Sequence, residues 1–308
     1  MKKLIDYLPE AHQQELERVK AILLEEFDEA IRGKQAAHRK AGRILKVIAH
    51  NHEVQTGDGL DILVIVNHRE LADKERHWRA ALARLRKDRA IGTIHSDIRL
   101  DVYCLQDVNR ALAAGEPFFT SIARGGILLY EIDRTPLATP RNLPASERYW
   151  RGQDEFERWY PRAEDFLSGA SFYRDQANMR MAAFLLHQAC EHLYQCVCWT
   201  LTLHGRRTHD LDELRAFAEG QCETLRSIWP RTCRFERRCF AQIRRAYVDA
   251  RYEVAFPASE REIEWIMERL TMLYRRVGSL CRAHLSALRA SSVVQLYPTN
   301  IHELASIM

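Results

Sequence analysis

The stretch Thr56-Gly57-Asp58-Gly59-Leu60-Asp61-Ile62-Leu63-Val64-Ile65-Val66 decides the architecture of the first half of this chain. From Leu60 onward it is apolar at every position but one, which predicts a strand covered on both faces rather than one side open to water. The exception is Asp61. An unpaired buried carboxylate is costly, so two readings stay open: a strand-end carboxylate paired with a basic side chain or backbone amide, or a member of a site.

Working outward, β-branched runs recur at 44–49 and Ile98–Cys104, with 126–130 a candidate fourth. Between them lie helical patterns at 11–31, 70–88 and 107–114. Strands separated by helices of that length imply an α/β layer structure. Pro136, Pro140 and Pro144 then follow within nine residues. Each fixes φ and lacks a backbone donor, so the segment reads as a linker.

After the linker the period changes. Met179, Ala182, Ala183, Leu186, Cys190, Leu193 and Val197 keep the three-four spacing of a buried helix stripe, as do Phe235, Cys239, Ile243, Ala246 and Ala250. A capping box, Ser259 with Glu262, opens the last long helix. The expected organisation is α+β and multi-domain. An α/β domain with a small mixed sheet spans 1–132, a linker 133–147, an all-α bundle 148–290 and a weakly patterned tail 291–308.

Bulk properties agree. The 308 residues are about twice one ordinary domain, and 46% hydrophobic with 29% charged is a soluble globular composition. No apolar run approaches the ~18 residues that span a bilayer. The N-terminus meets Pro9 and Glu10 before any apolar h-region, so the expectation is a cytoplasmic protein without membrane partners. None of the eight cysteines forms a Cys-x-x-Cys pair, which points to buried thiols rather than zinc or disulfides. A net charge of +4 does not by itself imply nucleic acid.

Residues 44–131 resemble the small nucleotidyltransferases related to polymerase β. In that family a strand ending in Gly-Ser leads to an Asp-x-Asp strand, and a later strand supplies a third carboxylate. The resemblance implies two Mg²⁺ ions held by hard oxygen ligands around ATP or another NTP. Carried onto this chain, the metal ligands and catalytic carboxylates are Asp58, Asp61 and Asp101. Here His50-Asn51-His52 replaces Gly-Ser, and the first Asp position falls on Gly59, with Asp58 one residue out of register.

The segment Phe184-Leu185-Leu186-His187-Gln188-Ala189-Cys190-Glu191-His192-Leu193, followed by Thr208-His209-Asp210-Leu211, resembles the HEPN family. So does Ala246-Tyr247-Val248-Asp249-Ala250-Arg251-Tyr252. Ribonuclease members use an Arg with a His four to six residues later; Arg245 suits the first place, but Arg251 stands at the second. His187, Glu191 and His192 read best as a structural polar network between helices. Arg237, Arg244 and Arg251, each seven apart, line one face of an arginine-rich helix. With Arg245, Tyr252 and His209 they are the candidate nucleotide- or RNA-binding residues. The resemblance also implies a homodimer through the helical domain, in which acids across the interface would pair with those arginines.

Three functions follow. The first is a nucleotide- or RNA-binding fusion with a degenerate Mg²⁺-dependent nucleotidyltransferase site. The second is a metal-independent ribonuclease using Arg245 with His209 or His187. The third is a non-catalytic interaction protein of a defence or toxin–antitoxin type.

Overall fold

The structure, a computed structural model, describes residues 8–33, 36–50, 59–132, 135–205, 208–252 and 258–296. The chain divides into two compact units, Met1–Asn142 and Leu143–Met308.

The first unit is built on β1 (Ile44–His50), β2 (Leu60–Val66), β3 (Ile98–Cys104) and β4 (Ile127–Glu131), in the order β3-β2-β1-β4. β1 runs antiparallel to β2 and β4, whereas β2 and β3 are parallel, so the sheet is mixed as the sequence predicted. Every residue of β1 and β2 is buried, as an apolar strand in a covered sheet requires.

Strand alternation gives the sheet two unlike faces. Val47, Ala49, Ile62, Val64, Leu100 and Val102 form one apolar face. α1 (Glu10–Ile31) covers it with Leu16, Val19, Ile22, Leu23 and Phe27, alongside Trp78 and the α4 residues Ala81 and Leu85. The region 70–88, read as one helix, is a 3-10 turn (Arg69–Ala72), a single turn α3 (Lys74–His77) and α4 (Arg79–Ala90). Asp73 caps α3 by accepting from Arg76 N at 3.1 Å, and the break seats Trp78 against Phe27, where its Nε1 donates to Leu71 O at 2.7 Å. A short turn, α2 (Ala37–Lys40), precedes β1.

The opposite face holds the polar exceptions. Register pairs His50 with Asp61, Asp61 with Arg99 and Leu63 with Asp101, which places Lys46, His50, Asp61, Arg99 and Asp101 on one side. α5 (Leu105–Ala114) follows β3, and α6 (Pro117–Gly125) sets Phe118 against His50 and Phe119 against Tyr103. The buried Lys46 is neutralised by Glu131 of β4.

The second unit is helical throughout its described residues. α7 (Ala145–Asp175), α8 (Met179–Thr202), α9 (Leu211–Gln221), α10 (Arg234–Tyr252) and α11 (Glu260–Leu296) are joined by short connections, including a 3-10 turn at Glu223–Ile228. α8 is the central helix, packed by the other four. Its buried stripe includes Ala182, Leu186, Cys190, Leu193 and Val197, facing Cys239, Ile243 and Ala246 of α10 and Ile263, Ile266, Leu270 and Leu273 of α11. The capping box forms as expected. Ser259 N and Oγ both donate to Glu262 Oε2, at 2.9 and 2.8 Å, and Glu262 N reaches Ser259 Oγ at 3.3 Å. Asn178 and Asp210 cap α8 and α9 by accepting from Met181 N and Asp212 N.

No described helix is long and apolar enough to cross a membrane.

Candidate functional site

In the sheet unit, Glu15 of α1 fixes the entry to β3. Its carboxylate accepts from the backbone N–H of His95 and Ser96, both at 2.7 Å, and from Ser96 Oγ at 3.1 Å. Leu60 N then donates to Asp97 O at 2.8 Å, bringing the start of β2 beside Arg99. There Arg99 grips Asp61 with two bonds: Nε to Oδ1 at 2.5 Å and Nη2 to Oδ2 at 2.9 Å. A fork of this kind is the strongest pairing open to a carboxylate. Asp101, two residues further on the same face, lies 4.0 Å from Lys74 Nζ. Asp58 lies outside the described residues.

Two hard carboxylates open to a shared ion are what Mg²⁺ requires. Both oxygens of Asp61 are instead held by a guanidinium, and Asp101 faces an ammonium. Among the described residues no group of three His, Cys, Asp or Glu comes together in a metal-holding arrangement. The described residues therefore do not fit a two-metal centre. Asp61 is thus paired with a basic side chain of the adjacent strand.

The helical unit assembles a second constellation. His187 is wholly buried, with Nδ1 2.9 Å from Ile243 O and Nε2 3.6 Å from Glu191 Oε2. Glu191 is one turn later on α8, so i,i+4 spacing puts both on one face. From the loop before α9, His209 places Nδ1 3.1 Å from both carboxylate oxygens of Glu191. Gln188 Nε2 adds a longer contact at 3.4 Å. Burial by itself raises the Glu191 carboxyl, but the imidazoles of His187 and His209 outweigh it and hold the group below the ordinary carboxylate value. Glu191 is thus ionised and screened from water, whereas the His209 side chain is 57% exposed.

Tyr247 of α10 connects this pair to the surface. The His209 ring stacks on it at 4.3 Å and 16°. The Arg251 guanidinium carbon lies 4.0 Å from the same ring's centroid, and Arg251 Nε donates to Tyr247 O at 2.6 Å. Tyr247 and Arg251 are again four apart. The outcome is an exposed imidazole and an exposed guanidinium joined by one aromatic ring and backed by a buried carboxylate.

The other predicted residues are distributed differently. His192 is not part of that network. Its Nδ1 is 2.9 Å from Gln188 O and its ring packs near Trp159 and Phe166 of α7, where burial lowers its pKa. Arg244 pairs with Asp212, Arg245 with Asp249 at 2.7 Å, Arg238 with Glu262 at 2.7 Å, and Arg237 donates to Arg231 O at 2.9 Å. The acids expected across a dimer interface thus include acids of the same chain. Of Tyr252, only its backbone at the end of α10 is described. Sequence reading missed Arg99 as the partner of Asp61, although it lies on the adjacent strand. It also missed Tyr247, whose signal was its four-residue spacing from Arg251.

With this geometry in place the family comparison becomes specific. Residues 156–280 match the HEPN domain model. The match runs from within α7 to within α11 and contains His187, Glu191, His209, Tyr247 and Arg251, so the resemblance read from sequence is borne out for the helical unit. Among solved structures, the chain is similar to a nucleotidyltransferase-like protein from Exiguobacterium sibiricum 255-15. The two are 15% identical, over 81% of this chain and 74% of that one, with a TM-score of 0.25. No functionally described protein matches.

Proposed function

We propose that the HEPN-matching unit binds the phosphate of a nucleotide or RNA at the His209–Tyr247–Arg251 surface, without a metal. The observation that carries this reading is the stacked trio itself. A planar guanidinium is suited to phosphate in a bidentate manner, and the aromatic and imidazole faces beside it suit a base or ribose. Glu191 fixes the orientation of the imidazole, so the ligand meets a preformed surface. A homodimer through the helical unit belongs to the same reading and is tested by light scattering, a monomer counting against it.

The binding test is fluorescence anisotropy with labelled single-stranded RNA and with labelled ATP, in EDTA. Arg251→Ala should weaken binding about tenfold, ~1.4 kcal/mol, and reduce its salt dependence. Unchanged affinity in both Arg251→Ala and His209→Ala would overturn the reading.

One observation favours a second, narrower activity: metal-independent cleavage of RNA. An exposed imidazole held by a buried carboxylate is an arrangement for moving a proton, and the nearby guanidinium would stabilise phosphate charge. In that case His209, not the buried His187, is the proton carrier, and Arg251 rather than the Asp249-paired Arg245 serves the phosphate. RNA cleavage in EDTA that survives Arg245→Ala and is lost in His209→Ala supports this assignment; intact RNA at high protein concentration excludes it.

A further inference from the structure

The polar face of the sheet combines four observations. First, the Arg99 guanidinium occupies both oxygens of the buried Asp61 carboxylate. Second, Arg99 Nη2 also donates to Gly59 O at 3.2 Å. Third, Gly59 has no room for a side chain, first because of the Asp97 carbonyl and more loosely because of Arg99. A Cβ on it would come 3.1 Å from the guanidinium carbon, 3.2 Å from Nε and 2.7 Å from Asp97 O. Fourth, the next carboxylate on this face, Asp101, has the Lys74 ammonium 4.0 Å away.

We infer that Arg99 is the resident cation of this face, standing where strand carboxylates would otherwise hold a divalent ion, so that the described carboxylates of this face, Asp61 and Asp101, hold no Mg²⁺. Among the described residues, the carboxylates Asp61 and Asp101 each stand beside a positive group, Arg99 and Lys74 respectively. A divalent ion entering there would meet the guanidinium at contact distance. It would also need a carboxylate oxygen at ~2.0–2.1 Å, and those of Asp61 are engaged. Gly59 borders the same arrangement: it lies two residues before Asp61 on the same face, and a Cβ there would come 2.7 Å from the Asp97 carbonyl oxygen. The Asp97 backbone blocks that position independently, so replacing Arg99 alone does not make room for a carboxylate at Gly59. The charge-assisted fork holds β2 to β3, so Asp61 works as a structural strand tie. This inference concerns the first unit only and is independent of phosphate binding by the helical one.

The test uses the full-length protein in two measurements. In Mn²⁺ electron paramagnetic resonance, wild-type protein should leave the free-ion signal undiminished, and neither EDTA nor Mg²⁺ should shift its Tm. A double-mutant cycle then compares Asp61→Asn, Arg99→Gln and the double variant. Each single change breaks this buried charge pair and should lower the Tm of the sheet unit by roughly 5–10 °C, whereas the double variant should lose clearly less than the sum. The inference is overturned if wild-type protein binds Mn²⁺ and Asp61→Asn abolishes that binding, or if EDTA lowers the wild-type Tm. It is equally overturned if the two substitutions are additive. The metal measurement needs no variant to fold.

Discussion

Asp61 in the sheet unit and Glu191 in the helical unit are both buried carboxylates that hold a nitrogen-bearing partner. They differ in where that partner ends. Arg99 is only 21% exposed and directs its donors back into the strand pair, so its charge is consumed within the fold. The partner of Glu191, His209, is 57% exposed and rests on a ring that also carries Arg251. A buried anion that neutralises a buried cation is structural. A buried anion that orients an exposed ring is equipped to serve a ligand. Among the described residues, the second arrangement is the one that presents an imidazole and a guanidinium to water.

The largest effect that tests this contrast should come from Asp61→Ala, which strands the mostly buried Arg99. Urea denaturation should show a loss of about 3 kcal/mol for the sheet unit with RNA binding by the full chain unchanged. A loss of RNA binding there would erase the distinction between the two carboxylates. Next, Glu191→Gln keeps the shape but weakens the hold on His209. It should cost about 1–2 kcal/mol of helical-unit stability and also reduce RNA affinity, a combination the sheet substitutions should not produce.

Acid provides a milder probe. Burial lowers the pKa of His192 in the folded protein, so the unfolded chain takes up that proton first, and stability declines as pH falls below about 6.5. Glu191 is held low by its imidazoles, so its contribution is present above about pH 4.3 and disappears as pH falls through its folded value. Tm against pH should show two declines. His192→Gln should reduce the upper one, to which the similarly lowered His284 also contributes, and Glu191→Gln should reduce the lower. Smallest of all, Arg244→Ala and Arg245→Ala break exposed pairs with Asp212 and Asp249 and should change stability by roughly 0.5 kcal/mol or less. A loss of RNA affinity in either as large as in Arg251→Ala would shift the binding surface along α10.

Much of this was legible in the chain itself. The apolar run at Leu60–Val66, the three-four stripes of α8, α10 and α11, and the Ser259–Glu262 box are local patterns, and local spacing dictates which face is buried. The continuous helix expected at 70–88 was not what formed, because Asp73 caps a new turn and seating Trp78 on Phe27 outweighs helical continuity. The candidate site was less legible. Asp61, Asp101, His209, Glu191 and Arg251 could all be picked out by residue type, and His187 by its i,i+4 spacing from Glu191, but the partners Arg99, Lys74 and Tyr247 could not.

The sequence by itself determined most of the strands and helices and the HEPN likeness of the helical unit, since periodicity and punctuation act over a few residues. Tertiary structure alone decided what the charged residues do. Arg99 and Asp61 are 38 positions apart, and His209 and Tyr247 also come from separate segments, so no spacing rule connects them. Parallel pairing of β2 with β3 joined the first pair and closed it. Packing of α10 against α8 brought Tyr247 to the imidazole that Glu191 holds, and left that ring facing water.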